Sequence, residues 1–188
     1  MSTQILPESL GQDLRILRKR RGLTLASVAK RMRRSVGWLS QVERNLSAPS
    51  SQELDALADV LDFNSNSLRS TISSSNPCDK HVVRSNNRRP LGPRIDGLTE
   101  ALLSPDLTDD FEVVHSTFAP GAQRHEPLTR PTQEVGYIVS GTLKMRIGNE
   151  TFKLNPGDSF RIRGEPFSWA NPGKTPCIAI WVIAPPVY

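Results

Sequence analysis

The chain has 188 residues, 37% hydrophobic and 23% charged, ordinary values for one large or two small globular domains. No apolar run approaches the ~20 residues that span a bilayer, and MSTQILPESL lacks the basic and apolar regions of a secretory signal, so the chain reads as cytoplasmic with no membrane partner. Its net charge of +5 is uneven: Lys/Arg against Asp/Glu is 11 to 7 over residues 1–70, 5 to 1 over 71–94 and 8 to 11 over 95–188, which directs a polyanion partner to the N-terminal end.

Three regions follow from pattern. Residues 1–71 have helical periodicity and only two prolines, Pro7 and Pro49. Residues 72–93, ISSSNPCDKHVVRSNNRRPLGP, have the Ser/Asn/Pro/Arg composition of an extended or disordered linker. Residues 94–188 alternate apolar and polar residues in short runs broken by APG, NPGD, GEP and NPGK, the pattern of an all-β domain. Cys78 and Cys177 match no metal-binding spacing and read as two unpaired thiols in a reducing compartment.

In chain order, a first helix is expected over Glu8–Arg21. Leu10, Leu14 and Leu17 form its apolar face, and Arg15, Arg18, Lys19, Arg20 and Arg21 crowd the end where the helix dipole favours cations. Gly22 stops it in the left-handed conformation, and Thr24 caps a second helix with Leu25, Val28, Ala29 and Met32 inward. Ser35 caps a third helix over Val36–Arg44, anchored by Leu39 and Val42, with Asn45 as its left-handed stop. Ser50 and Glu53 make a capping box for a fourth helix carrying Leu54, Leu57, Ala58 and Leu61. A short fifth helix is expected over Ser65–Thr71.

Two short helices joined by a tight turn fit a helix-turn-helix. The "RGLTL" run, Ala29, the S-x-x-x-L-S-x-x-E run from Ser35 to Glu43 and Pro49–Ser50 together resemble the λ-repressor-like (XRE-type) DNA-binding domain over about residues 8–71. The resemblance implies that the third helix enters the major groove, with Val36, Gly37, Ser40 and Gln41 facing bases. It also implies that Trp38 and Arg44 flank the groove, with Thr24, Ser35, Arg33 and Arg34 beside the phosphates. The alternatives are a solvated arginine face and a Trp38 packed on the second helix. Arg33 stands where this family commonly has glycine, so either the turn differs or an arginine takes positive φ, at roughly 1 kcal/mol.

Seven strands are expected: Phe111–Phe118, Glu134–Ser140, Leu143–Ile147, Glu150–Leu154, Ser159–Ile162, Phe167–Ala170 and Ile178–Ile183. Pro120–Gly121, the Glu134-x6-Gly141 spacing, the Pro156–Gly157–Asp158 turn and Pro166 through Asn171 resemble the cupin family, a double-stranded β-helix or jelly roll, over about residues 108–184. Metal-binding cupins carry G-x5-H-x-H-x4-E-x6-G and a further histidine. Here those histidine positions hold Pro127, Thr129 and Phe167, leaving Glu134 alone. No cofactor is expected, unless loop shifts bring His115 and His125 to Glu134.

The fold class is thus an all-α helix-turn-helix domain followed by an all-β cupin. The expected function is a non-enzymatic, sequence-specific transcription regulator that binds a palindromic double-stranded operator as a homodimer. The cupin would sense a small molecule in a mouth of Tyr137, Phe160, Phe167, Trp169 and Trp181, with Glu134 and Arg161 as polar anchors. Inward-facing arginines among Arg124, Arg130, Arg161 and Arg163 would suit an anionic effector; outward-facing ones would not. A two-fold interface is sought in the edge strands or the tail CIAIWVIAPPVY. The alternatives are a metal-dependent cupin enzyme with an accessory DNA-binding domain, and a cupin that only dimerises.

Overall fold

A computed structural model describes residues 8–63, 65, 68, 81–91, 95–105 and 107–187. The chain forms two compact units, one of residues 1–89 with 105–109, the other of residues 90–104 with 110–187. No helix among the described residues is long and apolar enough to cross a membrane.

Among the described residues the first unit holds four complete α-helices, α1 (Glu8–Arg20), α2 (Leu25–Arg31), α3 (Val36–Glu43) and α4 (Ser51–Val60), and a short 3-10 helix over Ser85–Asn87. The expected side-chain caps are all made. Thr24, Ser35 and Ser50 accept from the backbone N–H of Ser27, Trp38 and Glu53, and Glu53 completes the capping box. All four helices end in the same way. The second residue past the last turn donates to the carbonyl five positions back, and the residue before it has positive φ: Gly22 (65°), Arg33 (53°), Asn45 (58°) and Asp62 (49°). Arg33 donates to Lys30 O (3.2 Å) and Arg34 to Ala29 O (3.0 Å), so the glycine geometry is kept with arginine in it. Of the expected fifth helix, Ser65 and Leu68 are helical and the rest lies outside the described residues.

Leu10, Leu14, Leu17, Val28, Ala29, Leu39, Val42, Leu54, Leu57, Ala58, Leu61 and Leu68 form this unit's core. Charged residues that read as surface are internal staples. Arg18, buried, grips Glu43 with Nε and Nη2 (2.5 and 2.9 Å) and donates to Leu23 O from Nη1 (2.9 Å), tying α1 to α3. The hydrogen bonds to Glu43 hold the Arg18 pKa above its usual value. Arg21 closes the end of α4 through Leu61 O and Asp62 O. Asn45 Oδ1 accepts from Gly11 N–H (2.8 Å), and a Cβ at Gly11 would stand 2.5 Å from Val42 O, so only glycine lets α1 and α3 meet there.

Two stretches depart from the sequence reading. Within the 72–93 linker, residues 72–80 and 92–93 lie outside the described residues, but Arg89–Pro90 forms strand β1 and Leu91 is buried. Arg89 pairs with fully buried Asp13 (Nη2 to Oδ2, 2.8 Å), and Asp13 Oδ1 also accepts from Leu107 N–H (3.3 Å). Residues 105–109 therefore belong to the helical unit although they follow a strand of the other.

The second unit is a pair of antiparallel sheets. One has six strands in the order β1-β2-β3-β10-β5-β8 and the other four, β4-β9-β6-β7. All seven expected strands form, as β3 (Glu112–Phe118), β5 (Gln133–Ser140), β6 (Leu143–Ile147), β7 (Glu150–Leu154), β8 (Ser159–Arg163), β9 (Phe167–Ala170) and β10 (Cys177–Ala184). The additions besides β1 are β2 (Leu98–Leu102) and β4 (Gln123–Leu128). The latter, QRHEPL, has no apolar alternation and carries Pro127, so it is silent as a strand in sequence.

Turn chemistry sets the registers. Only Gly148 has positive φ in the two-residue β6–β7 loop, a II′-type arrangement. In the next turn Pro156 precedes Gly157 (φ 94°), Asp158 N–H donates to Asn155 O, and Gly157 N–H donates to Ile138 O, pinning the turn to β5. Asn171, buried, donates to Phe118 O and Thr175 O and accepts from Gly173 N–H. Aromatic rings fill the space between the sheets: Phe118 meets Trp169 edge-on at 4.7 Å, and Phe160 meets Trp181 at 4.8 Å. Cys177 is buried there, and burial pushes its thiol pKa up to about 11.

Candidate functional site

On α3, Val36, Gly37, Ser40, Gln41 and Arg44 follow helical spacing and share one face. Val36 is 47% exposed, while Leu39 and Val42 on the opposite side are essentially fully buried. Gly37, Gln41 and Arg44 are exposed and Ser40 is half-buried. Thr24 and Ser35 stand exposed at the starts of α2 and α3, each accepting a capping N–H, which leaves the hydroxyl proton to donate elsewhere. Arg44 Nε donates to Ser40 O (3.2 Å), and Arg33 is exposed at its left-handed corner.

Arg34 differs from the other arginines. Its guanidinium lies over the Trp38 ring, 4.8 Å from the centroid, and its Nη2 forms an ion pair with Glu53. Trp38 is thus half-buried under Arg34. Burial raises the Glu53 pKa, but the capping bonds from Ser50 and the charge of Arg34 outweigh that, and it lies below its ordinary value.

The β unit holds a half-open cavity of about 30 Å³. Its lining includes Leu98, Glu100, Phe118, Arg124, Arg130, Glu134, Phe167, Trp169 and Trp181. A site for one water needs on the order of 10–15 Å³, so the cavity has room for a group of about two or three atoms. Glu134 is buried to 1% exposure. Its Oε1 accepts from Thr132 Oγ1 (2.7 Å) and lies 4.0 Å from Arg130 Nη1, while its Oε2 has no hydrogen-bond partner among the described residues. The buried indole nitrogen of Trp181 has none either. Glu100 accepts from Ser116 Oγ (3.1 Å).

Of the residues expected around an effector, Glu134, Phe167, Trp169 and Trp181 line the cavity, and three do not. Tyr137 and Arg161 are exposed on the outer face, because on β5 and β8 the inward positions are Glu134, Gly136, Ile138, Phe160 and Ile162. Phe160 points inward but lies over Gly136, where a Cβ would come within 2.0 Å of the ring, so it is packing behind Trp181. Of the four arginines, Arg124 and Arg130 face the cavity, and Arg161 and Arg163 face solvent. Sequence reasoning gave Trp181 only as an aromatic and missed Glu100; neither carries a motif.

The cupin metal positions do not fit a metal. Phe167 and Pro127 offer no donor, and Thr129 is exposed. His125 is exposed, and His115 sits on the outer side of β3, opposite Ile180, while Glu134 points inward, so the three do not converge.

Residues 9–71 match the family described as a helix-turn-helix domain, and residues 114–183 match the cupin domain. None of the curated proteins matches the chain. Among solved structures, the chain is similar to an HTH_3 family transcriptional regulator from Vibrio cholerae, at 21% identity and a TM-score of 0.45, covering 99% of this chain and 100% of that one. It is similar to an RmlC-like cupin from Shewanella frigidimarina, at 20% identity and a TM-score of 0.50, over 57% of this chain and 93% of that one. It is also similar to the cupin domain of an XRE family transcriptional regulator from Enterobacter cloacae, at 26% identity and a TM-score of 0.43, over 49% of this chain and 100% of that one. The chain thus carries a helix-turn-helix domain followed by a cupin domain, an architecture consistent with a DNA-binding transcriptional regulator.

Proposed function

We propose that the protein is a sequence-specific DNA-binding regulator that reads a palindromic operator as a homodimer and binds a small effector in its cupin barrel. The observation that carries DNA reading is α3, with Val36, Gly37 and Gln41 exposed and Ser40 half-buried along one edge over the buried Leu39 and Val42. The major groove admits one such helix. Gln41 has the two-pronged amide that matches adenine, and Val36 suits a thymine methyl. Thr24 and Ser35 donate to phosphates with the protons their caps leave unused. Arg33 and Arg44 add exposed charge, whereas the charge of Arg34 is held by Glu53 and Trp38.

A palindrome asks for a two-fold protein. The tail sought as an interface is the middle strand β10, flanked by β3 and β5, so it offers no edge. Its outward residues Ile178, Ile180 and Val182 instead join Val113 of β3 and Val135, Tyr137 and Val139 of β5 in one apolar face. That face crosses three strands, with His115, Thr117 and Gln133 as its polar members and Arg161 and Arg163 of β8 along its edge, an apolar centre with a polar rim such as a patch that meets its own copy can have. Effector control follows only if the ligand binds two arrangements of the dimer with different affinity. The reading is non-enzymatic, because the metal positions hold Pro127, Thr129 and Phe167.

Fluorescence anisotropy with fragments of neighbouring promoters tests the DNA reading. Affinity should fall steeply between 50 and 200 mM salt, as counterion release requires, by roughly 10³-fold or more for about six phosphate contacts. Gln41→Ala should cost about 1–3 kcal/mol on the best fragment and little on random DNA. Absence of salt-dependent binding to every fragment would sink the regulator reading. An equal loss on all sequences would remove Gln41 from base reading.

A further inference from the structure

The polar groups of the barrel cavity carry more than the presence of an effector. Burying a polar atom without a partner costs on the order of 1–3 kcal/mol, so such atoms are rare and call for an explanation. Two of them line this one cavity and they are of opposite kind. Glu134 Oε2 is an acceptor without a donor, and Trp181 Nε1 is a donor without an acceptor. Their strands adjoin: Trp181 stands opposite Gly136, and Ile183 opposite Glu134. The two side chains are therefore diagonal neighbours on the inward face, roughly 7–8 Å apart at the backbone, a span that a few bonded atoms bridge.

The charges sharpen the choice. The cavity is lined by two carboxylates, Glu100 and Glu134, and two guanidiniums, Arg124 and Arg130. Glu100 is engaged by Ser116, and Arg130 lies beside Glu134 Oε1. Among the described residues Arg124 has no ion-pair partner. The groups left over among the described residues are thus Glu134 Oε2, the second oxygen of Glu100, one indole N–H and one guanidinium, so the cavity offers two sites to a cationic group and two to an anionic one. A simple anion would satisfy Arg124 and Trp181 and leave Glu134 Oε2 worse off. A simple cation would do the reverse. An uncharged apolar molecule would satisfy none.

We infer that the cavity takes a small zwitterion of the amino-acid class, its ammonium on Glu134 Oε2 and its carboxylate on Arg124 and the Trp181 N–H. This rests on the effector-binding reading and names the ligand chemistry for it. The cavity of about 30 Å³ admits only part of such a molecule, and Ile95, Leu98 and Leu128, also in its lining, offer apolar contact to the remainder.

The test is isothermal titration calorimetry on the full chain with the twenty amino acids, β-alanine and γ-aminobutyrate, and with sodium acetate and methylammonium chloride as half-ligands. At least one zwitterion should bind tenfold or more tightly than either half-ligand. N-acetylation or methyl esterification of that zwitterion should each weaken binding at least tenfold, a comparison that uses only the unaltered protein. Glu134→Gln and Arg124→Gln should each cost at least tenfold, and Trp181→Phe several-fold. If acetate binds as well as every amino acid, or if no zwitterion exceeds the half-ligands, the inference is overturned. Operator anisotropy with the same compounds separates the two claims. An operator response to a compound that lacks the ammonium and ignores Glu134→Gln overturns the zwitterion while leaving the regulator intact. Zwitterion binding that leaves operator affinity unchanged supports the site and removes the control.

Discussion

Arg33 poses the sharpest question at the scale of a single residue. Its φ of 53° puts an L side chain where the neighbouring helix end uses Gly22. That conformation costs roughly 1–2 kcal/mol, less for Asn45 and Asp62, whose short polar side chains tolerate it. Arg33→Gly should therefore stabilise the helical domain by about 1 kcal/mol, raising its melting temperature by roughly 4–8 °C. The same change should weaken binding to all DNA sequences alike and lower the salt slope by about one if Arg33 meets a phosphate. An unchanged melting temperature would mean that the arginine recovers its strain within the folded chain. The caps Thr24, Ser35, Ser50 and Asn45 were legible in the sequence because a cap is a local matter of three or four residues. Arg18 and Glu43 were not: they are 25 positions apart, and nothing in the basic run of α1 marks one arginine as internal.

At the scale of the element, the start of α4 shows how local chemistry becomes a pH dependence. Glu53 closes the capping box and pairs with Arg34, and its pKa lies below the ordinary 4.5. A depressed carboxylate contributes stability that is fully present above its unfolded pKa and disappears as pH falls through the folded value. Glu53→Gln keeps the capping geometry and removes the charge. Thermal melts of wild type and this variant should thus differ most near pH 7 and converge as the pH drops from about 5 to below 4. A gap independent of pH would mean that the charge of Glu53 contributes nothing. Strands were legible on the same terms. The seven that alternate were read, and β4, with Pro127 and no apolar face, was not. Alternation gives two faces without saying which is inside, which is why Tyr137 and Arg161 read as lining and stand outside. Of the cavity lining, Glu134, Phe167, Trp169 and Trp181 were named from the sequence and Arg124 and Arg130 stood among four candidate arginines, while Glu100, on a separate stretch with no motif, escaped.

For the molecule as a whole, reading a palindrome depends on a second copy, and the outer face of the six-stranded sheet is where the β unit offers one. Val182 lies between Val113 and Val135 in the strand register, at the middle of the apolar face, and is 39% exposed. In a two-fold interface each substitution occurs twice, so Val182→Glu would bury two carboxylates between apolar Val113 and Val135, with Arg161 one strand further on. Being already on the outer side of its sheet, the side chain can stay in solvent in a monomer, and the fold should survive. Sedimentation equilibrium should then move from twice the chain mass of 20.8 kDa to the single value. Lys153→Glu, exposed on β7 of the other sheet, should leave the mass unchanged. Operator affinity should fall with dimerisation, because two weakly bound half-sites lose the effective concentration that the interface provides. A Val182→Glu protein that remains a dimer would clear this face of the role and place the two-fold contact on another surface.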